Sequence, residues 1–67
     1  MNIGLLGCGT MGRLHATMVE QCGHKIVQCS DAVAQAGKSL AKDFNARFVK
    51  NWEDVVKSKD VDIVAIA

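Results

Sequence analysis

The stretch NIGLLGCGTMGRLH, residues 2–15, decides the fold. An apolar run leads into the spacing Gly7-x-Gly9-x-x-Gly12, and a helical pattern begins inside that motif. In a strand–turn–helix of this kind, the first glycine allows a sharp turn and the second lets a pyrophosphate approach the backbone. The third lets the helix pack closely on the strand. The free N–H groups at the start of the helix favour phosphate groups. The stretch therefore predicts a dinucleotide-binding loop.

Length and charge restrict the other classes of function. The 67 residues suffice for one small domain or part of one, and the net charge is +1 with scattered charges. No basic stripe indicates nucleic acid, and no apolar stretch reaches the roughly 18 residues of a membrane span. Without a signal peptide, we expect a cytoplasmic protein. Cys8, Cys22 and Cys29 fit neither a metal site nor a disulfide set, and Cys8 is the thiol whose place in the phosphate loop allows exposure.

Hydrophobic periodicity predicts an α/β fold of the order βαβαβαβ. The predicted strands cover residues 3–6, 26–30, 46–50 and 61–67, and the predicted helices cover 10–22, 32–44 and 52–58. Such a pattern implies a parallel, Rossmann-type sheet with right-handed crossovers. The expected strand order is 3-2-1-4, the first half of a dinucleotide-binding domain. Its ligand would lie at the carboxyl ends of strands one and four.

Packing expectations follow from the same periods. The first helix is expected to face the sheet with Met11, Leu14, Met18, Val19 and Cys22. Trp52 is expected to pack under the sheet edge rather than to stack on a ligand. Gly37 lies inside the second helix at a cost of about 1 kcal/mol relative to alanine, which close packing on the sheet would explain.

Asp31 is the candidate for choosing the cofactor. It follows Gly12 by 19 residues and closes the second predicted strand. A carboxylate at this place accepts hydrogen bonds from the adenosine ribose and repels a 2′-phosphate, which favours NAD over NADP. Ser30 beside it leaves NADP open. Asp31 is also suited to capping the helix at 32–44.

Four more residues complete the predicted cofactor site. Thr10 and Met11 are expected to offer backbone N–H groups to the pyrophosphate. Arg13 is expected either to contact a phosphate or ribose or to form solvated surface. Ala67, a small residue at the end of strand four, would let the cofactor approach that wall.

The run from Gly7 to His15 resembles the opening GxGxxGxxH of the Gfo/Idh/MocA oxidoreductases. The sequence WEDVV at 52–56 is similar to that family's short helix after strand three. The sequence DVDIVAIA at 60–67 is similar to its DVDxVxIATP stretch. His15 itself is expected to be a buried, hydrogen-bonded side chain rather than a catalytic one.

This resemblance implies an oxidoreductase that transfers hydride to or from a CH–OH group of a sugar or polyol, using NAD or NADP. It also implies a homo-oligomer, and a substrate domain and catalytic lysine that lie beyond strand four. We therefore expect residues 1–67 to be a partial NAD(P)-binding domain without the substrate domain, catalytic residues or a metal site.

Two alternatives stay open from the sequence. The chain is also compatible with the start of another Rossmann dehydrogenase, of the amino-acid dehydrogenase or dihydrodipicolinate reductase type. A non-catalytic nucleotide-binding module is the other alternative. Whether these residues act as an enzyme is left open by the sequence.

Overall fold

The computed structural model describes all 67 residues, and strands alternate with helices along the chain. The elements are β1 (Asn2–Leu6), α1 (Thr10–Gln21), β2 (Lys25–Ser30), α2 (Ala34–Phe44), β3 (Arg47–Phe48), α3 (Trp52–Lys57) and β4 (Ile63–Ile66). All neighbouring strands pair in parallel, in the order β3-β2-β1-β4. The predicted fold class and strand order are confirmed, while β3 and β4 are shorter than expected.

Three local signals set the helix boundaries. Gly23 takes φ +90° just after α1, and Asn45 takes the left-handed conformation at φ 53° as the C-cap of α2. Both conformations stop a helix because its next hydrogen bonds cannot form. At the start of α3, the side chain of Asn51 accepts a hydrogen bond of 3.1 Å from the N–H of Glu53. The predicted N-cap is thereby confirmed.

Most of the core lies between the sheet and the pair α1 and α2. Eight buried residues form one cluster there: Ile3, Leu5, Cys8, Ala16, Ile26, Cys29, Leu40 and Ala41. Helix α3 packs on the opposite face, where Val55 is fully buried. A Cβ atom on Gly4 would lie 2.5 Å from a methyl group of Val55, so β1 is glycine at the point where α3 crosses it. The central strand is therefore covered on both faces.

The predicted inner face of α1 is wrong. Gly12 and Ala16 are the buried residues of this helix, whereas Met11, Leu14 and Met18 are more than half exposed. Cys22 is also exposed, and only Val19 of the predicted face packs against the core. The small residues bring α1 close to β1, and this close approach turns the larger apolar side chains toward the outside. Hydrophobic periodicity gives most weight to large apolar side chains, so it identified a neighbouring stripe of α1 instead of the face that contains the two small residues.

Close packing explains why residue 37, inside α2, is a glycine. A Cβ atom at this position would overlap the aromatic ring of Phe48 in β3. The sheet-packing explanation for this glycine is confirmed. None of the three helices has the length and apolar character needed to cross a membrane.

Candidate functional site

The glycine loop leaves β1 by a turn that only glycine adopts easily. Gly7 takes φ +98°, and its N–H donates to the carbonyl of Ser30 at 2.9 Å. A Cβ atom on Gly7 would lie 3.2 Å from the carbonyl oxygen of Ala67. The loop therefore starts wedged between the carboxyl ends of β2 and β4, as the predicted sharp turn requires.

Gly9 and Gly12 have opposite surroundings. A Cβ atom on Gly12 would overlap the carbonyl of Gly7, so this glycine lets α1 lie against the loop itself. A Cβ atom on Gly9 would meet nothing within 4 Å. The predicted packing role of Gly12 is confirmed, and Gly9 borders open space of the kind that a pyrophosphate would need.

The start of α1 adjoins that open space. Gly9 is the N-cap in an extended conformation, without a side-chain capping bond, and the first turn contains no acidic residue. Thr10 and Met11, the first two helical residues, are both exposed. Uncapped N–H groups and the positive end of the helix dipole together favour an anion at this place.

Asp31 joins the glycine loop to the start of α2. Its Oδ2 accepts a hydrogen bond of 2.6 Å from the N–H of Cys8, and its Oδ1 accepts one of 2.7 Å from the N–H of Val33. Val33 is the N-cap of α2, so Asp31 contributes a turn immediately before the helix and is not its cap. Two backbone donors thus fix the carboxylate while each oxygen keeps acceptor capacity.

The thiol of Cys8 is hidden although the residue lies in the loop. Cys8 is 1% exposed, and its Sγ donates to the carbonyl of Ser30 at 3.4 Å. Burial raises the pKa of Cys8 to about 12, with the nearby thiol of Cys29 adding to the effect. Burial also raises the pKa of Cys29. Cys8 is therefore not exposed, although its place in the loop allowed exposure, and neither thiol is a nucleophile at neutral pH.

A cavity of about 330 Å³ opens at the carboxyl ends of the strands. Its walls come from the ends of all four strands and the residues that follow them: Leu6, Gly7, Ser30, Asp31, Ala32, Lys50, Trp52 and Ala67. The structure thus brings the predicted residues Gly7, Asp31 and Ala67 together. Gly9, Thr10, Met11 and Gly12, which follow Gly7 along the chain, are not among its lining residues. Lys50 also lines the cavity, and nothing in the sequence pointed to it. Trp52 lines the cavity too, although the sequence favoured packing over ligand stacking for this residue.

Arg13 is turned toward α2. Its guanidinium donates to Asp43 Oδ2 at 2.8 Å and to Ser39 Oγ at 2.7 Å. The ion pair with Asp43 lies at the surface. In this conformation the side chain braces α1 against α2, and its role as a phosphate or ribose ligand stays a prediction.

Two further side chains differ from expectation. Trp52 is 57% exposed, so the prediction that it packs under the sheet edge is wrong. His15 is half-buried beside Met18, Val19 and Ala65, and its ring makes no hydrogen bond. No group of three or more His, Cys, Asp or Glu side chains is placed to hold a metal ion.

Comparison with known families gives one match. The model of an oxidoreductase family with an NAD-binding Rossmann fold matches residues 1–67, the whole chain. No curated protein sequence matches.

Solved structures share the fold over the full chain. A myo-inositol dehydrogenase from Lactobacillus casei, in complex with NAD(H) and myo-inositol, is 25% identical with a TM-score of 0.91. A myo-inositol dehydrogenase from Corynebacterium glutamicum is 25% identical with a TM-score of 0.87. The WlbA dehydrogenase from Chromobacterium violaceum, in complex with NADH and UDP-GlcNAcA, is 23% identical with a TM-score of 0.89, which shows the fold alone.

These matches cover all of this chain but a small part of the other proteins. The chain spans 21% of the Lactobacillus casei enzyme and 20% of each of the other two. Their similarity to this chain therefore concerns one part of a much longer enzyme.

Proposed function

The chain belongs to the Gfo/Idh/MocA oxidoreductases and forms their NAD-binding Rossmann portion, and we propose that its crevice at the carboxyl ends of the strands holds the cofactor. In this proposal Gly7, Gly9 and Gly12 shape the loop, and Thr10 and Met11 donate backbone N–H groups to the pyrophosphate. Asp31 binds the adenosine ribose, and Ala67 forms the opposite wall.

The position of Asp31 is the observation that carries this proposal. Its carboxylate lies in the wall of the cavity and is held at 2.6 Å by the N–H of Cys8, within the glycine loop. A ribose bound at one side of this carboxylate would have its attached phosphate near the loop and the start of α1. Because the carboxylate is already fixed by backbone donors, binding would cost little reorganisation.

Room for the phosphates is the supporting observation. The open space at Gly9 and the uncapped start of α1 lie on the same loop as Cys8. Arg13 is proposed as a phosphate or ribose ligand only in a conformation that leaves Ser39 and Asp43. In the structure, its contribution is to hold α1 in place behind the loop.

The same carboxylate supports NAD over NADP. A 2′-phosphate on the adenosine ribose would bring negative charge next to Asp31. Ser30 offers no compensating hydroxyl, because it is buried and its Oγ points to the carbonyl of Lys50 at 3.4 Å. Lys50 lines the cavity, and its positive charge is the one that would have to attract the 2′-phosphate if the chain bound NADP.

In the longer protein, we propose hydride transfer to or from a CH–OH group of a sugar or polyol. The bound nicotinamide would supply the hydride chemistry, and this chain would bind and orient the cofactor. We propose that the substrate domain and the group that moves the hydroxyl proton lie outside residues 1–67. The family match does not favour the amino-acid dehydrogenase or dihydrodipicolinate reductase alternatives. Cytoplasmic location and homo-oligomerisation stay predictions.

The proposal is tested by calorimetric titration of the chain and of Asp31→Asn with NADH and NADPH. We expect the unmodified chain to bind NADH more tightly than NADPH. Replacing the carboxylate by an amide removes both an acceptor and the repulsive charge, so the preference for NADH should fall by about tenfold, or about 1.4 kcal/mol. Asp60→Ala, which changes an exposed aspartate before β4, is the matched control and should keep the preference.

A chain that binds neither nucleotide, while its thermal unfolding shows a folded domain, would contradict the cofactor site. Tighter binding of NADPH by the unmodified chain would contradict the role given to Asp31, and would indicate that Lys50 dominates.

A further inference from the structure

Trp52 is exposed in the wall of the cofactor cavity. It is the first residue of α3 and leaves 57% of its surface accessible, although it is the largest side chain in the protein. Its helix is anchored by Val55, which is fully buried three residues later. The indole therefore does not serve to attach α3 to the sheet.

The indole shares its cavity with the fixed carboxylate of Asp31. Lys50 and Trp52 follow β3, whereas Asp31 follows β2 and Gly7 follows β1. Because the strands lie in the order β3-β2-β1, these groups follow one another across the carboxyl ends of the strands. Across these strand ends, the indole of Trp52 comes first, the carboxylate of Asp31 second and the glycine loop third.

That order matches the order of groups in an adenine nucleotide. A phosphate at the glycine loop and a ribose at Asp31 place the base beyond the carboxylate, on the side of β3. A flat, half-exposed indole is suited to stack on a purine, and stacking requires no hydrogen bond to the base edge. We propose that Trp52 is the stacking residue for the adenine ring of the dinucleotide. This inference rests on the proposed function and assigns one further residue to it.

The chain contains one tryptophan and no tyrosine, so its tryptophan fluorescence reports on Trp52 alone. Titration of the unmodified chain with ADP should quench this fluorescence, because the base would stack on the indole. Titration with ribose 5-phosphate, which lacks the base, should leave the fluorescence unchanged. Both measurements use the unmodified chain, so they do not depend on whether a variant folds.

Calorimetry with ADP then measures the contribution to affinity. Trp52→Ala should weaken ADP binding about tenfold, within the range observed for removal of a base-stacking aromatic residue. Trp52→Phe should retain most of the affinity because it keeps an aromatic face. Val56→Ala, at an exposed apolar position of the same helix outside the cavity, is the control and should bind ADP like the unmodified chain.

The outcomes separate this inference from the function on which it rests. Binding of ADP without quenching, and with equal affinity in Trp52→Ala, would overturn the stacking role and leave the cofactor site in place. Absence of ADP and NAD binding to the unmodified chain would overturn both. Quenching by ADP together with the loss of affinity in Trp52→Ala would support both.

Discussion

Gly9 and Gly12 lie three residues apart in one glycine motif, and the structure uses them for opposite purposes. At Gly12 the protein itself fills the space that a side chain would need, because the carbonyl of Gly7 lies there. At Gly9 the same space is open. The first arrangement is typical of packing and the second of a place kept free for something else.

This difference separates what a glycine does for the fold from what it does for binding. The spacing of the motif treats the two residues alike, and only their surroundings distinguish them. Substitution by alanine adds the same methyl group at both positions. The consequences should therefore diverge, with loss of stability at Gly12 and loss of affinity at Gly9.

Gly12→Ala should have the largest effect. Its methyl group would overlap a backbone carbonyl, which cannot rotate away as a flexible side chain can. We expect the free energy of unfolding to fall by about 3 kcal/mol or more, a large part of the roughly 5 kcal/mol available to a small domain. Urea unfolding followed by circular dichroism measures this loss. Thr17→Ala, at an exposed position of the same helix, should change stability by less than about 0.5 kcal/mol. An equally small change in Gly12→Ala would show that the helix does not need this close approach.

Gly9→Ala should leave the fold intact and weaken binding of the cofactor. Gly9 has φ −77°, which alanine adopts without strain, and its new methyl group meets no atom. We expect unfolding to be unchanged within about 0.5 kcal/mol. The affinity for NADH should fall about tenfold or more, since the methyl group would occupy the place of a phosphate. Calorimetry and urea unfolding on the same preparation test both halves. Unchanged affinity would remove the pyrophosphate from this part of the loop.

Gly37→Ala extends the comparison to a glycine far from the loop. Its methyl group would overlap the ring of Phe48, a side chain that is able to shift. Overpacking costs about 1–3 kcal/mol, and alanine returns about 1 kcal/mol of helix propensity. We therefore expect a net loss of about 1 kcal/mol in urea unfolding and no change in NADH affinity. A gain in stability would show that the ring moves aside freely.

Thiol reactivity tests how closed the loop is at Cys8. Cys8, between Gly7 and Gly9, is buried like Cys29, whereas Cys22 is exposed. At pH 8, a disulfide reagent should label one thiol per chain rapidly, and Cys22→Ser should abolish this fast phase. The other two thiols should react only through opening or unfolding. Fast labelling of a second thiol would show that the loop is open at Cys8.

The raised thiol pKa values also fix the direction of a pH effect. Burial raises the pKa of Cys8 from 9.0 to about 12, so the folded chain holds a proton that the unfolded chain releases first. The stabilising effect is therefore complete below about pH 9 and is lost as the pH rises toward 12. Cys8→Ala should show a shallower fall in melting temperature over that interval than the unmodified chain. An identical fall would show that this thiol is not protected.

Much of the fold was predictable because it depends on local signals. Gly23, Asn45 and Asn51 determine helix ends through their own backbone or side-chain geometry, and apolar runs identify the buried strands. The strand order was predictable because the glycine motif indicates a dinucleotide-binding fold, whose first half has the order 3-2-1-4. Asp31 was predictable as a site residue because it closes a strand at a characteristic distance from the glycine motif.

The remaining features depend on packing between distant segments. The inner face of α1 consists of Gly12 and Ala16, which a hydrophobic period does not weight. Trp52 has the large apolar side chain typical of a core residue. Val55 nevertheless takes the buried position of α3, and the indole lies in the cavity wall. The buried state of Cys8 arises from its contact with Ser30, 22 residues away in sequence.

In the proposed function, the open space at Gly9 and the carboxylate of Asp31 are two ends of one cofactor site. Titration of the isotope-labelled chain with NAD, followed by backbone amide NMR, tests it residue by residue. We expect the largest shift changes at Gly9, Thr10 and Met11 and at Asp31, with little change in the distant turn at Gly23. Absence of shifts, or shifts confined to residues outside the loop and the cavity, would contradict a single cofactor site at Gly9 and Asp31.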